Sequence, residues 1–165
     1  MLYFFFKGIS VLWKANLEQR RLIEDSVLKE AVSADKLRIF ASGSQTMQRA
    51  LHPHVAGITH NISIELLVRT DGSLARQGDI AQEVERWRRD IQKANVKLAI
   101  RSYSFEPVMV RGIIVDDRIA FTGWYYREAG STHGQSDPVF RVTDESYVSA
   151  ICTLFDRMFA AGTPL

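Results

Sequence analysis

Met109-Val110-Arg111-Gly112-Ile113-Ile114-Val115-Asp116-Asp117-Arg118-Ile119-Ala120-Phe121-Thr122-Gly123-Trp124 is the stretch on which the fold assignment turns. Two apolar runs rich in Val, Ile and Phe flank Asp116-Asp117-Arg118, the pattern of a β-hairpin over residues 108–115 and 119–121. Upstream, Val96, Leu98 and Ile100 alternate with Lys97, Ala99 and Arg101, so residues 96–103 read as a strand, set apart from the hairpin by Pro107. Downstream, residues 139–142 are a last short strand. Residues 146–161 are a helix with Val148, Ile151, Leu154, Phe155 and Phe159 along one face.

Toward the N-terminus the same alternation of elements continues. Residues 15–34 place Leu17, Ile23, Val27, Leu28 and Ala31 at helical spacing; residues 37–41 are a short apolar strand carrying one Arg. The polar turn Ser42-Gly43-Ser44-Gln45-Thr46 then leads into a helix near Met47. Residues 62–68 form another strand, closed by Thr70-Asp71-Gly72-Ser73. Residues 79–94 form a helix through Ile80, Val84, Trp87 and Ile91. Strands alternating with helices, apart from one hairpin, predict an α/β protein with a mixed β-sheet flanked by helices.

Composition sets the outer bounds. At 165 residues the chain fits one domain, and 46% hydrophobic with 24% charged residues is the balance of a globular protein, not of a disordered tail or a multi-pass membrane protein. A formal net charge of +2 argues for neither nucleic acid nor lipid by itself. The single cysteine, Cys152, cannot close an intrachain disulfide and points to a reducing, cytoplasmic compartment. The apolar opening, residues 1–14, is too short to span a bilayer and lacks signal-peptide organisation. It reads as a segment packed on the core or on a partner, with membrane contact as the lesser reading, ahead of one domain over residues 15–165.

In spacing and hydrophobic pattern the hairpin resembles the signature of the phospholipase D superfamily, His-x-Lys-x4-Asp-x6-Gly-Ser. Aligned on Asp116, the His position is Met109, the Lys position Arg111, the Gly position Gly123 and the Ser position Trp124. The order of elements over residues 15–161 matches one half of the two-motif enzymes, or one subunit of the dimeric single-motif nucleases. The resemblance thus implies a phospholipase D-like half domain. Family enzymes use the His as nucleophile on phosphorus, and the Lys holds phosphoryl oxygens. A thioether has no proton to transfer, so the family's reaction is expected to be absent here. Arg111 keeps the capacity to hold phosphate through two parallel hydrogen bonds. Trp124 either fills the old pocket or offers a stacking surface.

The resemblance therefore implies a catalytically inactive, homodimeric module serving either to bind an anionic ligand, a phosphate-containing small molecule or nucleic acid, or as a protein-interaction (dimerisation) module, with no cofactor. The expected ligand-binding residues are Arg111, Arg101 and Tyr103 at the end of the preceding strand, and Ser42 and Ser44 in the loop after the first strand. The alternative is an active phosphodiesterase of nuclease or phospholipase type with a non-standard nucleophile such as His133. On the plainest reading, Asp116-Asp117 is only a hairpin turn, Gly123 a bulge and Ser42 or Ser44 a helix cap. His52, His54 and His60 lack the spacing of a metal site, Arg86, Arg88 and Arg89 around Trp87 read as a solvated face, and Cys152 reads as core.

Overall fold

The structure is a computed structural model and describes residues 9–12, 25–41, 58–69, 81–82, 84–85, 87–89, 95–103, 110–124 and 139–165. Eight strands form one mixed sheet: β1 (Ile9–Leu12), β2 (Lys36–Ala41), β3 (Ile62–Arg69), β4 (Val96–Tyr103), β5 (Val110–Val115), β6 (Ile119–Trp124), β7 (Val139–Val142) and β8 (Thr163–Pro164). Their order across the sheet is β1-β7-β6-β5-β2-β3-β4-β8. β2, β3 and β4 run parallel, and every other neighbouring pair is antiparallel. Among the described residues three helical stretches accompany them: α1, described over residues 25–31; α2, described at residues 81–82, 84–85 and 87–89; and α3 (Glu145–Ala161).

Burial on both faces explains why β2 and β3 read as nearly continuous apolar runs. Leu37, Ile39, Ile64, Leu66, Val68, Ile100, Ile113 and Phe121 meet Val27 and Ala31 of α1 and Val84 and Trp87 of α2 in a first core. Phe40, Leu67, Tyr103, Ile114, Ala120 and Val142 meet Val148, Ile151, Cys152, Phe155 and Met158 of α3 in a second. The alternation Leu66/Leu67 and Ile113/Ile114 is thus a division between two cores.

The hairpin forms as its sequence predicts. Asp116 and Asp117 take φ 50° and 56°, and the Arg118 N–H donates to the Val115 carbonyl at 3.0 Å. Two consecutive left-handed residues give the turn a twist that matches the flanking strands, and Asp tolerates that conformation better than most residues. β6 extends through Trp124, beyond the expected stop at Phe121, because Gly123 and Trp124 keep their ladder partners Arg111 and Val110. Gly123 is therefore a regular ladder position and not a bulge.

Three features complete the frame. Residues 9–12 of the apolar opening add to the sheet edge against β7. The two-residue β8, which no sequence pattern announces, pairs with Arg101 and Ser102 of β4. α3 starts at Asp144, whose side chain accepts from the Tyr147 N–H, and ends at Gly162, where an added Cβ would lie 2.9 Å from the Ser102 carbonyl oxygen. The helix expected near Met47 lies outside the described residues. Among the described residues no helix is long and apolar enough to cross a membrane.

Gly112 packs directly against backbone: a Cβ there would stand 2.0 Å from the Phe121 carbonyl oxygen. Gly112→Ala is expected to destabilise the protein by roughly 3 kcal/mol, at or beyond the upper end for overpacking, because the obstacle is backbone and cannot rotate away. Urea denaturation of the two proteins measures it.

Candidate functional site

The sheet topology decides which candidate residues stand together. From β2 the chain moves outward to β3 and β4, then returns to the other side of β2 as β5. Strand order thus reverses at the β2/β5 boundary, and the crevice beyond the carboxyl end of β2 at such a switch point is where open α/β sheets take ligands. Arg111 lies one residue past the Phe40–Gly112 pair, level with Ala41, the last residue of β2, and opposite Gly123 of β6. Ser42 and Ser44 follow the end of β2 directly in the sequence. Ser42, Ser44 and Met109 lie outside the described residues, and Arg111 and Trp124 are described through their backbone.

No family model and no curated protein matches the sequence. Solved structures do. Nuc from Salmonella typhimurium, a phospholipase D family member, aligns over 96% of this chain and 97% of its own with TM-score 0.63 at 15% identity. The chain has the phospholipase D fold. NucT from Helicobacter pylori aligns over 95% of this chain and 98% of its own, with TM-score 0.61 and 14% identity. TrmBL2, an archaeal chromatin protein whose structure shows a mode of DNA binding, aligns over 96% of this chain with TM-score 0.57 and 11% identity, and the chain spans 55% of its length.

Within this phospholipase D fold, the aligned Asp is a structural residue. One carboxylate oxygen of Asp116 accepts from the backbone N–H groups of both Asp35 and Lys36 at 2.9 Å, and the Asp116 N–H donates to the Lys36 carbonyl at 2.9 Å. Its other oxygen takes Nη2 of Arg118 at 2.9 Å. The side chain therefore fastens the hairpin turn to the start of β2, at the end of the sheet opposite Arg111. Asp116 is a turn residue with a specific task beyond the turn itself.

Arg101 requires correction. Three strand spacings separate β4 from β5, about 14 Å, so Arg101 and Arg111 do not share a site. The Arg101 guanidinium donates to the carbonyls of Phe159 at 2.9 Å and Ala160 at 3.1 Å and lies over the Phe159 ring, 5.0 Å from its centroid. α3 has no basic residue in its last turn, and Arg101 supplies from β4 the cation that its exposed carbonyls favour. Tyr103, at the end of β4, is buried in the second core.

Elsewhere, His60 Nε2 is 2.8 Å from the Ala34 carbonyl, and Asn95 donates to the carbonyls of Ile58 and His60, so this histidine ties the chain before β3 to the end of α1. His52, His54, His133 and Arg86 lie outside the described residues. Arg88 pairs with Glu85 at 3.0 Å and donates to the Leu165 carbonyl.

The most organised polar group in the described chain went unread in the sequence. Arg38, the lone charge of β2's apolar core, is 6% exposed beneath α3. It donates through Nη1 to Asp117 at 2.6 Å and through Nε to Glu65 at 3.3 Å, and it pairs through Nη2 with Asp156 at 3.0 Å. The Phe155 ring stands 5.8 Å away. Lys36 joins Glu65 at 3.5 Å and Asp117 at 4.0 Å. Burial alone would lower the Arg38 pKa; Asp117 and Asp156 outweigh it and hold the guanidinium charged. The Cys152 thiol lies 3.7 Å from Asp117, and burial, helped by that carboxylate, raises its pKa above the ordinary thiol value.

Arg38→Met would leave three carboxylates with only Lys36 among them. Those carboxylates are 25% (Glu65), 44% (Asp117) and 58% (Asp156) exposed and keep water, so the loss is expected below that of a fully buried pair broken in half, at about 1–3 kcal/mol in urea or thermal unfolding. Asp116→Asn, which keeps an acceptor at the same place, is expected to cost less.

Proposed function

We propose that this phospholipase D fold is a non-catalytic, homodimeric module that binds a phosphate-bearing anion at the β2/β5 switch point. The observation that carries the reading is the distribution of the signature along the hairpin. Asp116 serves the turn at one end. A cation, Arg111, stands at the other end, level with the carboxyl end of β2, two residues after Met109 in the place of the family's nucleophile. A guanidinium there holds a phosphate without any residue able to form a bond to phosphorus. Residues 42–46, which follow β2 directly in the sequence, are proposed to complete the anion site with their backbone amides. The phosphate of a small molecule and that of a nucleic acid present the same oxygens; TrmBL2 makes a nucleic acid a specific candidate. The homodimer in this proposal rests on the resemblance to dimeric single-motif members of the superfamily, with the apolar opening and Trp124-Tyr125-Tyr126 proposed to supply apolar area.

The purified protein is expected not to hydrolyse bis-nitrophenyl phosphate above a Met109→Ala, Arg111→Ala control. It is expected to bind inorganic phosphate or a nucleotide with an affinity that Arg111→Ala weakens roughly tenfold or more, the loss of one charge-assisted contact. Turnover above the control, lost in His133→Ala, would replace this reading with the substitute-nucleophile enzyme. Equal binding by the two proteins would remove the anion site. Light scattering at micromolar concentration should give the mass of a dimer, and a monomer would remove the assembly.

A further inference from the structure

We propose that the ion cluster around Arg38 is a latch that holds α3 on the sheet, and that α3 opens as a unit ahead of the rest of the domain when the latch is weakened. This inference is independent of the anion site, which lies at the opposite end of the sheet.

The construction of α3's seat supports separate opening. α3 covers only the second core, whereas β2, β3, β4, β5 and β6 keep their ladder and the first core, packed on α1 and α2, on the opposite face. Beside the ion cluster, its ends are tied by exposed Thr143 and Asp144 before it, by the two-residue β8 after it, which pairs with Arg101 and Ser102 of β4, and by the Arg101 guanidinium on the Phe159 and Ala160 carbonyls, contacts that part together when α3 lifts. An element whose release leaves one core and the central ladder intact is the kind that opens below the global unfolding free energy.

The latch spans three places in the sequence. Asp156 comes from α3, Asp117 from the β5–β6 turn and Glu65 from β3, and all converge on one buried guanidinium of β2. Asp156 and Asp117 are 58% and 44% exposed in their side chains, so salt reaches their side of the contact, while Arg38 at 7% gains water only if α3 lifts. A cation at position 156 removes one of the guanidinium's three carboxylates and places a like charge near it, and both changes favour the lifted state.

Cys152 supplies the reporter. It is the chain's single cysteine and lies under α3 beside Asp117. In the closed state it is covered and protonated; once α3 lifts it is an ordinary thiol.

The test is native-state labelling of Cys152 with iodoacetamide, with amide exchange of β3 and α3 followed in parallel and global unfolding measured in urea. In the wild-type protein labelling should be faster than global unfolding allows, and high salt should speed it. Asp156→Lys should raise the rate about tenfold or more, with faster exchange in α3 and unchanged exchange in β3, and should abolish the acceleration by salt. Arg38→Met should act in the same direction; if it does not fold, Asp156→Lys decides alone because residue 156 is on the surface. Wild-type labelling at the rate set by global unfolding, or an Asp156→Lys rate within twofold of wild type, would overturn the latch.

Discussion

The guanidinium of Arg38 must keep its carboxylate partners or stand as an uncompensated charge in the second core. Satisfying it fixes the relative positions of β2, β3, the β5–β6 turn and α3, because each of the last three brings one carboxylate. The turn is fastened a second time by Asp116, which takes two backbone N–H groups at the entry to β2. One pair of adjacent aspartates thus does two separate jobs, and the left-handed conformation of both residues lets their side chains diverge toward different partners.

This arrangement gives the hairpin two unlike ends. The turn end is structural, committed to Asp35, Lys36, Arg38 and Arg118. The open end, with Arg111 level with the carboxyl end of β2, lies at the point where the sheet reverses its order. Gly112 leaves no space for a side chain against the backbone of β6, and Gly123 sits in the ladder between Arg111 of β5 and Val139 of β7.

Hydrophobic patterning in the sequence carries most of the strands and α3: burial on both faces makes β2 and β3 nearly continuous apolar runs, while β4 alternates because its sides are unequally covered. The hairpin turn was legible for the same reason. β8 was not, because two residues containing a proline have no period. Arg101 was misread because strand order across the sheet is long-range: its proximity to the hairpin in sequence says nothing about the two strands that come between β4 and β5. Arg38 gave one local signal, a charge inside an apolar strand that alternation would bury, but its three partners stand 27, 79 and 118 residues away, beyond any local pattern.

Anion binding at the β2/β5 boundary is tested most directly by an amide nitrogen–proton NMR titration with inorganic phosphate. The account requires shift changes concentrated at Arg111, Gly123 and residues 42–46, saturable and absent in Arg111→Ala. Changes concentrated instead around Arg101 and the end of α3, or none that saturate, would contradict it.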